Sequence, residues 1–115
     1  MEKRNEILEL SFEFALQIIS YCEMLEEKRK YVIARQLLKS GTSIGANVRE
    51  AQNTESNQDF IHKLKIVAKE ADEAEYWLLL CEKSSSYPTA NNLNTSIISI
   101  KKLLNSIITT MKNRK

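Results

Sequence analysis

The chain offers a single imidazole, His62, which follows Asp59 at the i, i+3 spacing of an acid-x-x-His ligand pair. A di-iron carboxylate centre in a helical bundle needs two Glu-x-x-His motifs and a Glu from each of two further helices. Without a second histidine that centre cannot be completed, so His62 is read as a surface or packing residue. Hydrolytic triads fail on the same shortage, and no Gly-x-Ser-x-Gly elbow is present. Glu70, Asp72, Glu73 and Glu75 crowd into KEADEAE and have the chemistry of an acid–base pair. With no Gly-rich phosphate loop beside them to hold a substrate, a solvated or salt-bridging helix face is the better reading. Cys22 and Cys81 lack CxxC spacing, fall at apolar helical positions, and are expected to be reduced core residues. No catalytic residue, metal, cofactor or small-molecule substrate is therefore expected.

The elements that position these residues are helices. At 115 residues the chain suits one domain, expected to span 1–115, and its 2 Gly and 1 Pro favour long helices over a turn-rich fold. Leu8, Phe12, Ala15, Ile19 and Cys22 alternate in steps of four and three, which places them on one stripe of a helix over about 3–27. The charged EEKRK is a short link. Ala34, Leu37, Gly41, Ile44, Val48 and Ala51 mark a second helix, about 31–54. Polar NTESNQD follows, where Ser56 or Asn57 is placed to cap the next helix. Phe60, Leu64, Val67, Ala71, Ala74, Leu78 and Cys81 carry a third, about 58–84. After SSSYPTANN, the residues Leu93, Ile97, Ile100, Leu104, Ile107 and Met111 carry a fourth, about 89–112. Helices of this length joined by short links must run antiparallel, so the fold class is all-α: an antiparallel up-down-up-down four-helix bundle.

Charge alternates along this order. Residues 1–27 hold two basic and seven acidic groups, 28–53 six and one, 54–87 four and seven, and 88–115 five and none, for a net +2. In an up-down bundle each basic helix touches two acidic ones, and simple neighbour packing accounts for the pattern. The total alone argues for neither nucleic acid nor an anionic membrane. No stretch approaches the roughly 18 apolar residues of a membrane span, and MEKRNEILEL is charged where a signal peptide is apolar, so a cytoplasmic protein is expected.

The second helix is unusual on its flanks. Beside its core seam run Gln36, Ser40, Ser43, Asn47 and Glu50, small or amide side chains for the most part, and beyond them Arg35, Lys39, Thr42, Ala46 and Arg49. A polar stripe of low bulk next to a core suggests close approach of another helix, with hydrogen bonds across the contact. Gly41 and Gly45 each cost about 1 kcal/mol against Ala in a helix interior, a cost offset by close backbone approach or, alternatively, associated with a kink at Thr42–Ser43.

The segments QLLKSGTSIGANVREA and DFIHKLKIVAKEADEAEYWL resemble the bacterial four-helix-bundle family encoded in 23S rRNA intervening sequences, the S23 type. The resemblance covers helices two and three, while helices one and four agree in length and pattern. It implies a left-handed bundle that assembles into a ring, typically a homopentamer, without enzymatic activity. The family is also similar to the accessory protein of diversity-generating retroelements, a basic pentameric barrel that binds nucleic acid and its partner reverse transcriptase. Carried over by position, Gln36, Ser40, Ser43, Asn47, Glu50 and Phe60 stand at the family's signature places, and with Gly41 and Gly45 they are expected to serve helix packing or an oligomer interface. RNA binding would need a concentrated basic patch, for which the candidates are Arg35, Lys39, Arg49, Lys101, Lys102, Lys112, Arg114 and Lys115. Two functions follow as expectations: a homo-oligomer that binds structured RNA or an RNA-linked protein through a repeated basic surface, or a protein-interaction scaffold that binds no nucleic acid.

Overall fold

A computed structural model describes residues 2–113. Four helices, α1 (Glu2–Glu27), α2 (Tyr31–Ala51), α3 (Asn57–Lys83) and α4 (Asn91–Lys112), make an all-α four-helix bundle of 50 × 20 × 19 Å. Each helix packs on the next and α1 closes against α4, while neither diagonal pair brings Cα atoms within 8 Å among the described residues. Cross-helix contacts fix the directions. Lys3, at the start of α1, donates to Ser106 near the end of α4 at 2.7 Å, and Glu50, near the end of α2, pairs with Lys63 near the start of α3 at 2.7 Å. Neighbours are thus antiparallel.

Local chemistry sets the links. Arg29 takes a left-handed backbone, φ 65°, as α1 ends, and the Lys30 amide reaches back to the Leu25 carbonyl at 2.8 Å. Glycine is the usual residue there, and its absence left this turn unmarked in the sequence. The Ser56 hydroxyl caps α3 by accepting from the Asp59 amide at 3.0 Å. Helix α2 stops at Ala51, three residues before the expected end, because Gln52 and Asn53 bond back to Arg49 and Glu50 in a tightened last turn. Helix α4 begins at Asn91 rather than 89.

The core seams of α2, α3 and α4 are buried as their spacing requires. That of α1 is not: the buried residues are Ile7, Ser11, Phe14, Ile18, Tyr21, Cys22 and Leu25, whereas Phe12 is 54% and Ile19 41% exposed. Helix α1 is apolar on several sides, and its spacing supports two parallel stripes. The glycines of α2 decide between them. A Cβ added at Gly41 would stand 2.9 Å from Ile18, and one at Gly45 3.3 Å from the Ser11 carbonyl oxygen, so the missing side chains admit the stripe containing Ser11 and Ile18. Helix α2 runs on through Thr42 and Ser43 without a break.

Candidate assembly and nucleic-acid surfaces

The polar stripe of α2 satisfies itself. Ser40 is fully buried and donates to the Gln36 carbonyl at 3.1 Å, Ser43 to Lys39 at 2.6 Å, and Asn47 to Ser43 at 2.8 Å. The hydrogen bonds expected across a helix contact are instead bonds to carbonyls four residues back on the same helix, a geometry open to short polar side chains wherever they sit on a helix. Gln36 and Glu50 are exposed, and only Glu50 crosses to another helix, at Lys63 on α3. Phe60 is buried at the other end of that contact, with the Arg4 guanidinium 3.9 Å above its ring.

The basic candidates divide between two sides. Arg35, Lys39 and Arg49 are exposed on the outer surface of α2, and Lys102 and Lys112 on α4, which stands diagonally opposite. One monomer therefore does not gather them into a single patch. Lys101 is held by α3, 2.8 Å from Asp72 and 2.6 Å from Glu75. Hydrogen bonds to those two carboxylates raise its pKa above the ordinary lysine range and compensate its charge. Arg114 and Lys115 lie outside the described residues.

The groups with possible reaction chemistry are dispersed. His62 is exposed, two of the four carboxylates of 69–75 are engaged by Lys101, and among the described residues no three His, Cys, Asp or Glu side chains converge. Cys22 and Cys81 are buried free thiols; burial pushes Cys22 up to about 12 and Cys81 upward as well, leaving both as neutral thiols. No helix is long and apolar enough to cross a membrane among the described residues.

A sequence profile of the 23S rRNA-intervening sequence proteins matches residues 3–106. The chain belongs to that family. A crystal structure of a protein of unknown function from the S23 ribosomal protein family of Bacteroides thetaiotaomicron VPI-5482 is similar to it, with 43% identity over 93% of this chain and 98% of that one and a TM-score of 0.87. No curated protein matches.

Two surfaces of this 23S rRNA-intervening sequence family member escaped the sequence reading. One is an apolar strip on the outer flank of α1, where Phe12, Leu16 and Ile19 stay exposed; it continues into a groove of about 170 Å³ between α1 and α2, lined by Leu8, Ala15, Gly45, Ala46 and Arg49 among others. The second is a cleft of about 590 Å³ between the end of α1 and the start of α4, lined by Leu16, Tyr21, Met24, Ala90 and Leu93. The usable signal for the strip was the excess of apolar residues in α1 over the number one seam needs.

Proposed function

We propose that this protein is a non-enzymatic, cytoplasmic homo-oligomer that binds structured RNA through a basic surface repeated by assembly, with the outward face of α4 making the contact. The observation that carries this reading is the chemistry of that face. Helix α4 holds no acidic residue, and Thr95, Ser99, Lys102, Asn105, Thr109 and Lys112 are all exposed at steps of three and four along it. Lysines interspersed with hydroxyl and amide donors suit phosphate oxygens, which accept from these side-chain types without regard to sequence. Membership in a family encoded within 23S rRNA genes agrees in kind with RNA as partner. Two described lysines per copy neutralise few phosphates, so affinity depends on several copies acting together.

The test titrates the purified protein with structured RNA and with duplex DNA at about 50 and 200 mM salt, recording its mass in solution. An assembled protein whose affinity falls steeply with salt, and whose slope flattens in Lys102→Gln/Lys112→Gln, bears the reading out, because each neutralised phosphate contributes roughly 0.9 to the slope on a duplex. No binding by the assembled protein at 50 mM salt rejects it and leaves the protein-scaffold reading.

A further inference from the structure

The cleft between α1 and the start of α4 has a formed floor and uncovered walls. Tyr21, Ala90 and Leu93 make the floor, each 3–5% exposed, and the Tyr21 hydroxyl donates to the Pro88 carbonyl at 2.7 Å, which holds the ring in place. Leu16 and Met24 stand at its edge on the second half of α1, 47% and 41% exposed. The open space over this floor is about 590 Å³. Among the described residues its lining carries no charge, and its polar groups are hydroxyls and carboxamides such as those of Ser20, Gln17 and Asn92.

Charge enters at the two ends. Glu13, Gln17, Ser20, Met24 and Glu27 follow one another at steps of four and three, so they share one stripe of α1, and all five are exposed. The middle three line the cleft and the two glutamates bracket it, about 21 Å apart at ~1.5 Å per residue. No basic residue occurs in α1 between Asn5 and Glu27. Among the described residues neither Glu13 nor Glu27 has an opposite charge within 4 Å, and Lys30, on the link beyond, is engaged by Ser86 at 3.3 Å and lies over the Tyr87 ring. An apolar trough between two unpaired carboxylates attracts cations and repels phosphate, so its complement is an apolar surface with positive ends.

We propose that the cleft docks a basic amphipathic helix of a partner protein. Such a helix lays an apolar stripe, with anchors at i, i+3 or i+4 and i+7, along Leu16, Tyr21, Met24 and Leu93. About four turns cover the distance between the glutamates, and a lysine or arginine near each end meets Glu13 and Glu27. Gln17, Ser20 and Asn92 stand at the rim, where polar groups keep their water. The floor is already in place and needs no ordering when the helix arrives, which favours the contact. The site goes beyond the RNA reading and does not depend on it: it is built from α1 and the first turn of α4, whereas Lys102 and Lys112 stand farther along α4.

The test uses a synthetic helical peptide of about fifteen residues, with leucines on one face and lysine at each end, and a counterpart that carries glutamate in place of lysine. In anisotropy titrations at about 50 mM salt the parent protein is expected to bind the lysine peptide about tenfold more tightly than the glutamate one. Glu13→Lys/Glu27→Lys is expected to reverse that order. Ser20→Trp, which fills the cleft, is expected to weaken the lysine peptide about tenfold, with the mass in solution unchanged and Tm within a few degrees of the parent. Backbone amide shifts on adding the lysine peptide are expected along 13–27 and 89–93. Failure of the lysine peptide to bind, equal affinity for the two peptides, or binding that Ser20→Trp leaves intact overturns the proposal. An RNA hairpin that moves those amides while the peptide does not overturns it as well, by assigning the cleft to nucleic acid.

Discussion

The two seams of α1 are built in opposite ways. Against α2 the side chains have been removed: Gly41 and Gly45 let Ile18 and the Ser11 backbone approach to where even a Cβ would crowd them. On the α4 side an open surface cleft of about 590 Å³ lies at one end, and single polar bonds tie α1 to α4 and to the link before it. Tyr21 donates to the Pro88 carbonyl at 2.7 Å at that end, and Lys3 to Ser106 at 2.7 Å at the other. A seam of close backbones derives its stability from contact along its length and tolerates no added volume. A seam tied at its ends by such bonds is sensitive to the loss of either one.

The sharpest way to break the contrast is Gly41→Leu. Four carbons directed at Ile18 overpack the close seam, and the expected cost is about 3 kcal/mol despite the better helix propensity of leucine. A urea midpoint equal to the parent's would remove the close approach from the account.

The pinned seam should respond to Tyr21→Phe, by about 1 kcal/mol, since the phenol is lost and the Pro88 carbonyl loses its partner. Burial first, and then the neighbouring Cys81 and other groups, raise the Tyr21 pKa above the ordinary tyrosine range. A folded-state pKa raised in this way means that the protonated phenol supports the fold at neutral pH and that this support is lost as pH climbs past the unfolded value near 10. The parent should therefore lose stability more steeply above pH 10 than the phenylalanine variant, in urea titrations run across that range. Parallel decline in the two proteins would show that Tyr21 does not contribute to the alkaline limit.

Smallest of all should be Asn47→Leu. Its amide serves only the Ser43 carbonyl of its own helix, and it lies off the α1 seam, half-buried. A change within about 0.5 kcal/mol is expected by thermal melting, and a loss several times larger would show that the polar stripe of α2 supports packing on α3 after all.

How much of this was legible depended on how unambiguous each helix was. Helix α3 holds one apolar seam from Phe60 to Cys81 against a charged exterior, and its buried residues follow from spacing alone. Helix α1 holds Ile7, Leu8, Leu10, Phe12, Phe14, Leu16, Ile18 and Ile19, so periodicity allowed two seams one residue apart. Of the expected one, Cys22 is buried and Leu8 and Ala15 are half-buried, whereas Phe12 and Ile19 proved to lie on the exposed strip. Among the basic candidates, residue type predicted surface position well. It could not show that α3 neutralises Lys101 while Lys102, one residue on and about 100° round the helix, remains exposed.

The sequence by itself determined the number, order and approximate ends of the helices and their antiparallel course, because these follow from local spacing, breakers and link lengths. Only the tertiary structure decided which stripe of α1 is inside and which lysines remain free. It also decided on which sides of the bundle the basic residues of α2 and α4 stand. Those outcomes depend on where two helices meet, and the volume missing at Gly41 and Gly45 acts on residues more than twenty positions away in the chain.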